Sequence, residues 1–276
     1  PCKTNTVSNT AFRGFGGPQG MIVIETILEH IGHHLGKSLD DIRKVNYYGT
    51  KDRNVTPYGQ TVTDNIIEEL ADRLMSEIDY EGRKQAIEKF NLENQTLKKG
   101  IAAMPIKFGI SFNMPALNQA GALVHVYTDG SVHLNHGGTE MGQGLFTKVA
   151  QVVATVFQID IDNIKISSTR TDKVPNTSAT AASAGSDLNG MAAYDAADRI
   201  KARMTGVAAR HFDVAEDEIE FRLNCVYAGN ESLSFAELAQ MTWEARESLS
   251  ATGFYQTPDL TWDPITCTGS PFYYFS

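Results

Sequence analysis

The segment from Asn135 to Gly144, with the sequence NHGGTEMGQG, constrains the fold of this chain more than any other feature. Before it, apolar runs at 122–127 and 132–134 flank Asp129-Gly130, the pattern of two strands joined by a tight turn. After it, apolar residues recur at helical spacing, at Leu145, Val149, Val152, Val153 and Val156. The sequence therefore predicts a hairpin, a glycine-rich loop and a helix, in that order.

This loop is a candidate ligand-binding element. Its glycines, at 137, 138, 142 and 144, leave backbone N–H groups open beside a helix N-terminus, which favours negative charge. We therefore expect an anionic or oxo-bearing ligand there, with Gln143 contributing a side chain that cannot ionise. The glycine spacing fits neither the P-loop nor the dinucleotide fingerprint. A plain turn at a helix entry is the alternative.

Two further runs of small residues also lead into predicted helices. AFRGFGGPQ at 11–19 places Arg13 and Phe15 on a loop before a helix at 18–36, which we expect to be buried through its apolar stripe. VPNTSATAASAGSD at 174–187 precedes a long helix near 187–212. Small side chains let a backbone approach a bulky partner closely. Three such loops suggest one shared ligand.

These runs, together with KFGISF at 107–112, resemble the molybdenum-cofactor subunit or domain of xanthine dehydrogenases and oxidases. The resemblance is strongest at 2–50, 100–195 and 250–276, and the aldehyde-oxidase branch of the superfamily is less similar. It implies a molybdenum–molybdopterin cofactor that hydroxylates hypoxanthine to xanthine and xanthine to urate, with water as the oxygen source. Electrons would pass through Fe–S clusters and FAD to NAD on other parts of the enzyme.

The resemblance also implies roles for individual residues. Gln143 matches a glutamine that hydrogen-bonds the metal's oxo group, Ala182 an alanine packed against metal and substrate, and Phe15 and Phe112 the pair that sandwiches the flat substrate. Asn113 stands where the family has a substrate-contacting threonine, which puts the substrate preference in doubt. The remaining residues implied to contact the cofactor are Arg13, Met141, Gly142, Thr180, Ser183, Ala184, Gly185 and Ser186.

No catalytic residue is expected within the chain itself. The family's catalytic glutamate would lie beyond residue 276, and a substrate-orienting glutamate and arginine before residue 1. The chain starts without Met and ends on the aromatic run 271–276, so we expect a fragment. Molybdenum would have no direct protein ligand here and would be held through molybdopterin near Gln143 and Ala182. Glu140, although inside the loop, is not expected to be the base.

Composition excludes several other classes of protein. A net charge of −9 argues against a nucleic-acid partner. No run of about 20 uncharged apolar residues could span a membrane. Cys2, Cys225 and Cys267 are too few and too scattered for an Fe–S cluster in this chain, and they fit a reducing, cytoplasmic location. His30, His33 and His34 lack the glutamate of the metalloprotease motif, so a solvated helix face is expected.

Strands and helices alternate without the regular rhythm of a parallel wound sheet, which predicts an α+β fold with mixed sheets. Further expected elements are a capped helix from Ser38, a helical pair at 64–78 and 82–90, strands near 101–113, and single strands at 164–168 and 219–227. A second capped helix is expected from Ser234.

We expect residues 1–98 to end a first, mostly helical molybdopterin-binding domain and residues 99–276 to start a second, mixed one. The expected partners are a purine substrate, the remainder of the molybdenum subunit, and Fe–S and FAD subunits or domains, in a dimer of protomers. One alternative is a related hydroxylase for another N-heterocycle or an aldehyde, which Asn113 supports. Another is a non-catalytic structural or interaction module.

Overall fold

The computed structural model describes residues 3–7, 10–174 and 176–276. Cys2 and Pro175, which belong to the patterns above, lie outside these residues. Internal contacts divide the chain into two compact units: unit 1 is Pro1–Asn113 with Leu260–Ser276, and unit 2 is Met114–Asp259. The division into domains at residue 98 stays a prediction.

The helices, numbered along the chain, are α1 (Gly17–Leu35), α2 (Leu39–Val45), α3 (Ile67–Glu77), α4 (Tyr80–Glu93), α5 (Leu145–Phe157), α6 (Gly185–Phe212) and α7 (Phe235–Glu244). The strands are β1 (Lys107–Gly109), β2 (Gln119–Val126), β3 (Val132–His136), β4 (Ile164–Ile166), β5 (Ile219–Arg222), β6 (Cys225–Ala228), β7 (Glu231–Ser234), β8 (Ser250–Gln256), β9 (Thr261–Asp263), β10 (Thr268–Ser270) and β11 (Tyr273–Phe275). Single 3₁₀ turns lie at 115–117, 161–163 and 216–218.

Unit 1 contains α1 to α4, and the predicted caps define its helix ends. Gly36 ends α1 in the left-handed conformation, at φ 62°. The Ser38 hydroxyl starts α2 by accepting the Asp41 N–H at 3.1 Å. The helical pair expected at 64–78 and 82–90 is confirmed as α3 and α4.

A buried arginine ties the first two helices together. The Arg43 guanidinium lies 2.6 Å from the Glu25 carboxylate of α1 and 3.2 Å from Asp40. It also donates to the Ala103 carbonyl at 3.1 Å. Because its charge is paired on both sides, Arg43 can be buried at this junction. The sequence analysis gave no indication of this network.

The expected burial of α1 is wrong. Its periodicity is helical, yet Ile24, Ile27 and Ile31 remain 48%, 47% and 41% exposed. Gly32 is the buried residue of the helix. Amphipathic spacing shows which residues share a face, but not whether another part of the same chain covers that face.

Unit 1 also contains two small antiparallel sheets. β1 pairs with β11, and Phe108 lies opposite Tyr274. β9 pairs with β10. The aromatic run at 271–276 therefore includes a strand, as expected. The strands expected near 101–113 are limited to the three residues of β1.

Unit 2 is built on a four-stranded sheet in the order β4-β3-β2-β8. β3 and β4 run parallel, whereas β2 is antiparallel to both β3 and β8, so the sheet is mixed, as predicted. Along β2, buried and half-buried residues alternate strictly, as in a strand with one face on the core. The buried side of β2 and β3 and the inner faces of α5 and α6 form one core, which includes Val124, Leu134, Val149, Val153, Ala192, Ala196 and Ile200.

The single strand expected at 219–227 is wrong. The chain instead forms β5 and β6, which pair antiparallel around Leu223 and Asn224, both left-handed at φ 51° and 65°. Asn224 holds this turn against the end of α5, because its side chain accepts the Asp160 N–H at 2.7 Å and donates to the Asp160 carboxylate at 2.9 Å. β7 completes this three-stranded sheet, and the predicted Ser234–Glu237 capping box opens α7.

Candidate cofactor-binding site

The loop between β3 and α5 is held in place by hydrogen bonds from three directions. The Thr169 hydroxyl donates to the Gly138 carbonyl at 2.7 Å. The Gly138 N–H donates to His136 Nδ1 at 3.1 Å. The Thr139 N–H donates to the Thr180 hydroxyl at 2.9 Å. The last contact joins two of the predicted loops, which are 41 residues apart in sequence.

Two of the loop glycines are required by close packing. A Cβ on Gly137 would lie 2.4 Å from the Thr177 side chain. A Cβ on Gly138 would lie 2.6 Å from Leu145 and 2.7 Å from Asn189. These contacts are too short for any side chain, so the loop lies directly against the entry of α6. Small residues at this position therefore serve close backbone approach, as the sequence suggested.

The Gln143 side chain is fixed within the loop. Its Oε1 accepts the Met141 N–H at 2.5 Å, and its Nε2 donates to the Thr139 carbonyl at 2.8 Å. A carboxamide nitrogen carries two hydrogens, so Nε2 retains a second N–H for a ligand. The side chain is half-buried and neutral.

The N-terminus of α5 is occupied by Glu140, a residue of the loop itself, and the anionic or oxo-bearing ligand expected at this loop stays a prediction. The Glu140 carboxylate accepts the N–H groups of Gly142 at 2.8 Å, Gly144 at 3.1 Å and Phe146 at 3.1 Å. These bonds, from Phe146 first and then from Gly144 and Gly142, lower the pKa of Glu140 below its ordinary value. That Glu140 is not the base stays a prediction.

The entry of α6 is arranged differently. Ala182 and Ser183 are left-handed, at φ 55° and 57°, and Ala184 at the N-cap position has no side-chain acceptor. The first N–H groups of any helix lack an intrahelical partner. Gly185 and Ser186 are the first residues of α6, and Asp187 adds a negative charge to its first turn.

His136, at the end of β3, is buried and uncharged. It is 3% exposed, and burial is the main cause that lowers its pKa to about 4, against a smaller opposite effect of Glu140. Since Nδ1 accepts from Gly138, the proton of the neutral ring lies on Nε2. Nε2 has no hydrogen-bond partner among the described residues, and neither does the Asn189 Oδ1. Both are buried polar atoms close to the loop.

The remaining predicted site residues belong to unit 1. Arg13 and Phe15 lie in the turn before α1, and Phe15 is left-handed at φ 50° and 81% exposed. A Cβ on Gly17 would lie 3.2 Å from the Phe108 ring, so this turn packs beside the KFGISF segment. Phe112 in that segment is half-buried, and Asn113 is exposed.

The structure thus forms two groups of site residues. In unit 2 it joins the loop with Met141, Gly142 and Gln143 to the run with Thr180 and Ala182. In unit 1 it places the turn with Arg13 and Phe15 beside the strand that leads to Phe112. Sequence reasoning missed Thr139, Thr169, His136 and Asn189. His136 directly precedes the paired glycines, which is the one signal that could have identified it.

Across residues 3–7, 10–174 and 176–276, no three His, Cys, Asp or Glu side chains cluster as a metal site. His30, His33 and His34 lie on the exposed surface of α1, as expected. Within the same ranges, no helix is long and apolar enough to cross a bilayer.

Comparison with protein families identifies the chain. A model of the molybdopterin cofactor-binding domain matches residues 73–276, and a second model with the same description matches residues 1–47. The chain belongs to the molybdopterin cofactor-binding domain family. The molybdopterin-binding family predicted from the three runs is thereby confirmed.

Relatives in this family are similar over the full length of the chain. It is 46% identical to a xanthine dehydrogenase of Dictyostelium discoideum and 46% identical to one of Oryza sativa subsp. japonica. It is 44% identical to a xanthine dehydrogenase/oxidase of Gallus gallus. In each case 100% of this chain is matched, and the chain spans 19% of the relative's length.

Solved structures of low sequence identity share the fold. Quinoline 2-oxidoreductase from Pseudomonas putida 86 superimposes with a TM-score of 0.71 at 21% identity, over 90% of this chain and 34% of that one. The aldehyde oxidoreductase from Desulfovibrio desulfuricans gives a TM-score of 0.66 at 21% identity, over 96% of this chain and 26% of that one. The predicted α+β fold with mixed sheets is confirmed.

The donor groups of the site fit molybdopterin. An anionic organic cofactor is recognised by backbone N–H groups at a helix entry, by hydroxyls and by neutral amides. The α6 entry, Thr180 and Gln143 supply these groups. Glu140 already caps α5, whereas the N-cap residue of α6 makes no side-chain cap hydrogen bond.

Proposed function

We propose that this chain is part of the molybdenum centre of a xanthine dehydrogenase, which hydroxylates hypoxanthine to xanthine and xanthine to urate in purine catabolism. The observation that carries the proposal is the direct contact of the NHGGTEMGQG loop with the small-residue run through Thr139 and Thr180. Identity of 46% to a xanthine dehydrogenase over the full chain supports this substrate class.

In this proposal, Gln143 and the α6 entry hold the cofactor. Gln143 donates its second Nε2 hydrogen to an oxygen acceptor near the metal. The amides of Gly185 and Ser186, with the Ser183 and Ser186 hydroxyls, bind the anionic part of molybdopterin. Met141, Gly142, Ala182 and Ala184 line the cofactor with small or backbone groups, and Arg13 contributes from the first turn. When bound, the molybdenum–molybdopterin group supplies the redox chemistry of the hydroxylation.

Phe15 and Phe112 are proposed to hold the planar substrate between their rings. Aromatic stacking and edge contacts contribute about 1 kcal/mol beyond burial. The 81% exposure of Phe15 leaves its ring available for such a contact. Asn113 would contact a polar edge of the substrate, since a carboxamide both donates and accepts.

The proposed partners are a purine substrate, the rest of the molybdenum subunit, and Fe–S, FAD and NAD sites on other parts of the enzyme, in a dimer of protomers. The catalytic glutamate would lie outside these residues. A cytoplasmic location is also proposed, because Cys225 and Cys267 are free thiols.

The test uses the complete protein. Purified protein should contain molybdenum and form urate from xanthine. Gln143→Ala should lower turnover by about 10- to 100-fold, as loss of groups around a metal centre does. Protein without molybdenum and without turnover on any N-heterocycle or aldehyde would favour the non-catalytic module instead.

A second candidate substrate class rests on Asn113. If the enzyme prefers another N-heterocycle or an aldehyde, purine turnover should be weak in the wild type. In Asn113→Thr, the ratio of kcat/KM for purines to kcat/KM for the preferred substrate should then rise. Equal ratios in both proteins would leave Asn113 without a role in specificity.

A further inference from the structure

The Glu140 carboxylate has an unusual position, because it closes the N-terminus of α5 from outside the helix. One oxygen accepts both Gly142 N–H, at 2.8 Å, and Gly144 N–H, at 3.1 Å, while the other accepts Phe146 N–H at 3.1 Å. Helix N-terminal amides favour a negative charge. Glu140 supplies this charge from within the loop.

The two glycines that Glu140 binds flank Gln143 on either side. Both are left-handed, Gly142 at φ 87° and Gly144 at φ 75°. A single carboxylate oxygen therefore binds the Met141–Gly142 peptide and the Gln143–Gly144 peptide, one on each side of Gln143 in sequence. The Gln143 amide adds its own bonds to Met141 N–H and the Thr139 carbonyl. Backbone and side chain of Gln143 are thus restrained separately.

We propose that Glu140 is the positioning residue of the cofactor loop: it acts as a built-in anion that orients Gln143 towards the bound cofactor. This inference rests on the proposed function insofar as Gln143 contacts molybdopterin. Glu140 contacts the loop backbone and not the reacting atoms. The length of the Glu140 side chain matters, because its two oxygens must reach the N–H groups of Gly142, Gly144 and Phe146.

Substitutions separate the charge of Glu140 from its geometry. Glu140→Gln keeps one acceptor oxygen, but its NH₂ group would oppose an N–H donor at Phe146 or at the glycines. Glu140→Ala removes every acceptor and leaves the amides of Gly142, Gly144 and Phe146 to water. Glu237 is the matched control, since it caps α7 in the same unit by accepting the Ser234 N–H at 2.8 Å.

The first experiment measures loop order in the complete protein by hydrogen exchange. Glu140→Ala and Glu140→Gln should accelerate exchange at the amides of 142–146 by about 10-fold or more. Glu237→Ala should change exchange at α7 and leave 142–146 unaltered. Unchanged exchange at 142–146 in both Glu140 variants would overturn the proposal, whether or not the protein is an enzyme.

The second experiment measures the coupling of Glu140 to Gln143. Glu140→Ala should lower kcat by about 10- to 100-fold with KM changed less than about 2-fold, at molybdenum content equal to that of Glu237→Ala. Combined with Gln143→Ala, it should cause no further loss, because both changes disable the same group. Losses that multiply would overturn the proposal.

The two experiments also separate this inference from the proposed function. If the wild type lacks molybdenum and urate formation, the proposed function fails, while the hydrogen-exchange result still decides the role of Glu140 in ordering the loop. If the wild type is active and Glu140→Ala matches Glu237→Ala in kcat, the positioning role fails and the proposed function stands.

Discussion

At the scale of single residues, His136 makes the stability of unit 2 depend on pH. Burial lowers the pKa of His136 to about 4 in the folded chain, from an ordinary value of 6.5. As the pH falls below about 6.5, His136 becomes protonated in the unfolded chain. In the folded chain it becomes protonated only when the pH approaches about 4. Stability is therefore intact at neutral pH and is lost through this window, by about 2 kcal/mol at pH 5.

His136→Asn is the substitution that tests this dependence. Asparagine still offers an acceptor for the Gly138 N–H but does not titrate. Between pH 7 and pH 5, denaturant unfolding should show a steeper loss of stability for the wild type than for His136→Asn. Parallel curves for the two proteins would contradict the assignment of a buried neutral histidine.

At the scale of secondary-structure elements, the contact between β8 and α6 depends on Gly253. A Cβ at this position would lie 2.0 Å from the Ala192 carbonyl oxygen and 2.6 Å from the Ala196 nitrogen. The α6 backbone cannot make room for this Cβ without a shift of the helix relative to the sheet. Gly253→Ala should therefore destabilise the protein by about 1–3 kcal/mol or more, as overpacking of a core does.

Gly20→Ala is the matched control. Gly20 lies inside α1, and no atom within 4 Å would meet its Cβ. The same substitution should stabilise the helix there by about 0.5–1 kcal/mol. Thermal unfolding of both variants measures the difference, and a neutral Gly253→Ala would mean that β8 does not pack on α6 this closely.

The hairpin of β5 and β6 shows why one element could not be predicted. Leu223 at a left-handed position is unfavourable for an isolated turn, so the sequence lacks the usual Asn-Gly or Asp-Gly signal. The turn forms because Asn224 is bound by Asp160, 64 residues away. Contacts of this kind are invisible to a pattern read along the chain.

At the scale of the whole molecule, the exposed apolar face of α1 should affect how residues 1–276 behave in isolation. Ile22, Val23 and Leu35 are 71%, 58% and 56% exposed, next to the half-exposed Ile24, Ile27 and Ile31. Exposed apolar surface of this kind is available to other apolar groups. Residues 1–276 alone should therefore bind a hydrophobic dye strongly, and Ile27→Lys combined with Ile31→Glu should reduce dye fluorescence.

We also expect residues 1–276 alone to retain no stoichiometric molybdopterin and to form no urate. The physical reason is that the chain spans only 19% of the length of its xanthine dehydrogenase relatives, so the rest of such an enzyme is missing from the test. Elemental analysis and a urate assay check this expectation. Stoichiometric molybdenum together with turnover in the isolated chain would contradict it.

The candidate site was predictable in its residue types but not in its internal bonds. The glycines at 137, 138, 142 and 144 predict a loop whose backbone approaches a neighbouring group closely. Gln143 is a neutral amide within that loop. The sequence does not show that the Glu140 side chain folds back onto the helix it precedes, because that contact depends on the conformation of the loop.

The sequence by itself determined the helices with their caps, the hairpin around Asp129-Gly130, the mixed α+β class and the molybdopterin-binding family. These follow from local periodicity and from short motifs, whose physics acts within a few residues. Only the tertiary structure decided that α1 keeps an exposed face, that Leu223-Asn224 forms a turn and that Thr139 meets Thr180. Each of these depends on which distant atoms come within hydrogen-bonding or packing distance, and such contacts exist only once the chain has folded.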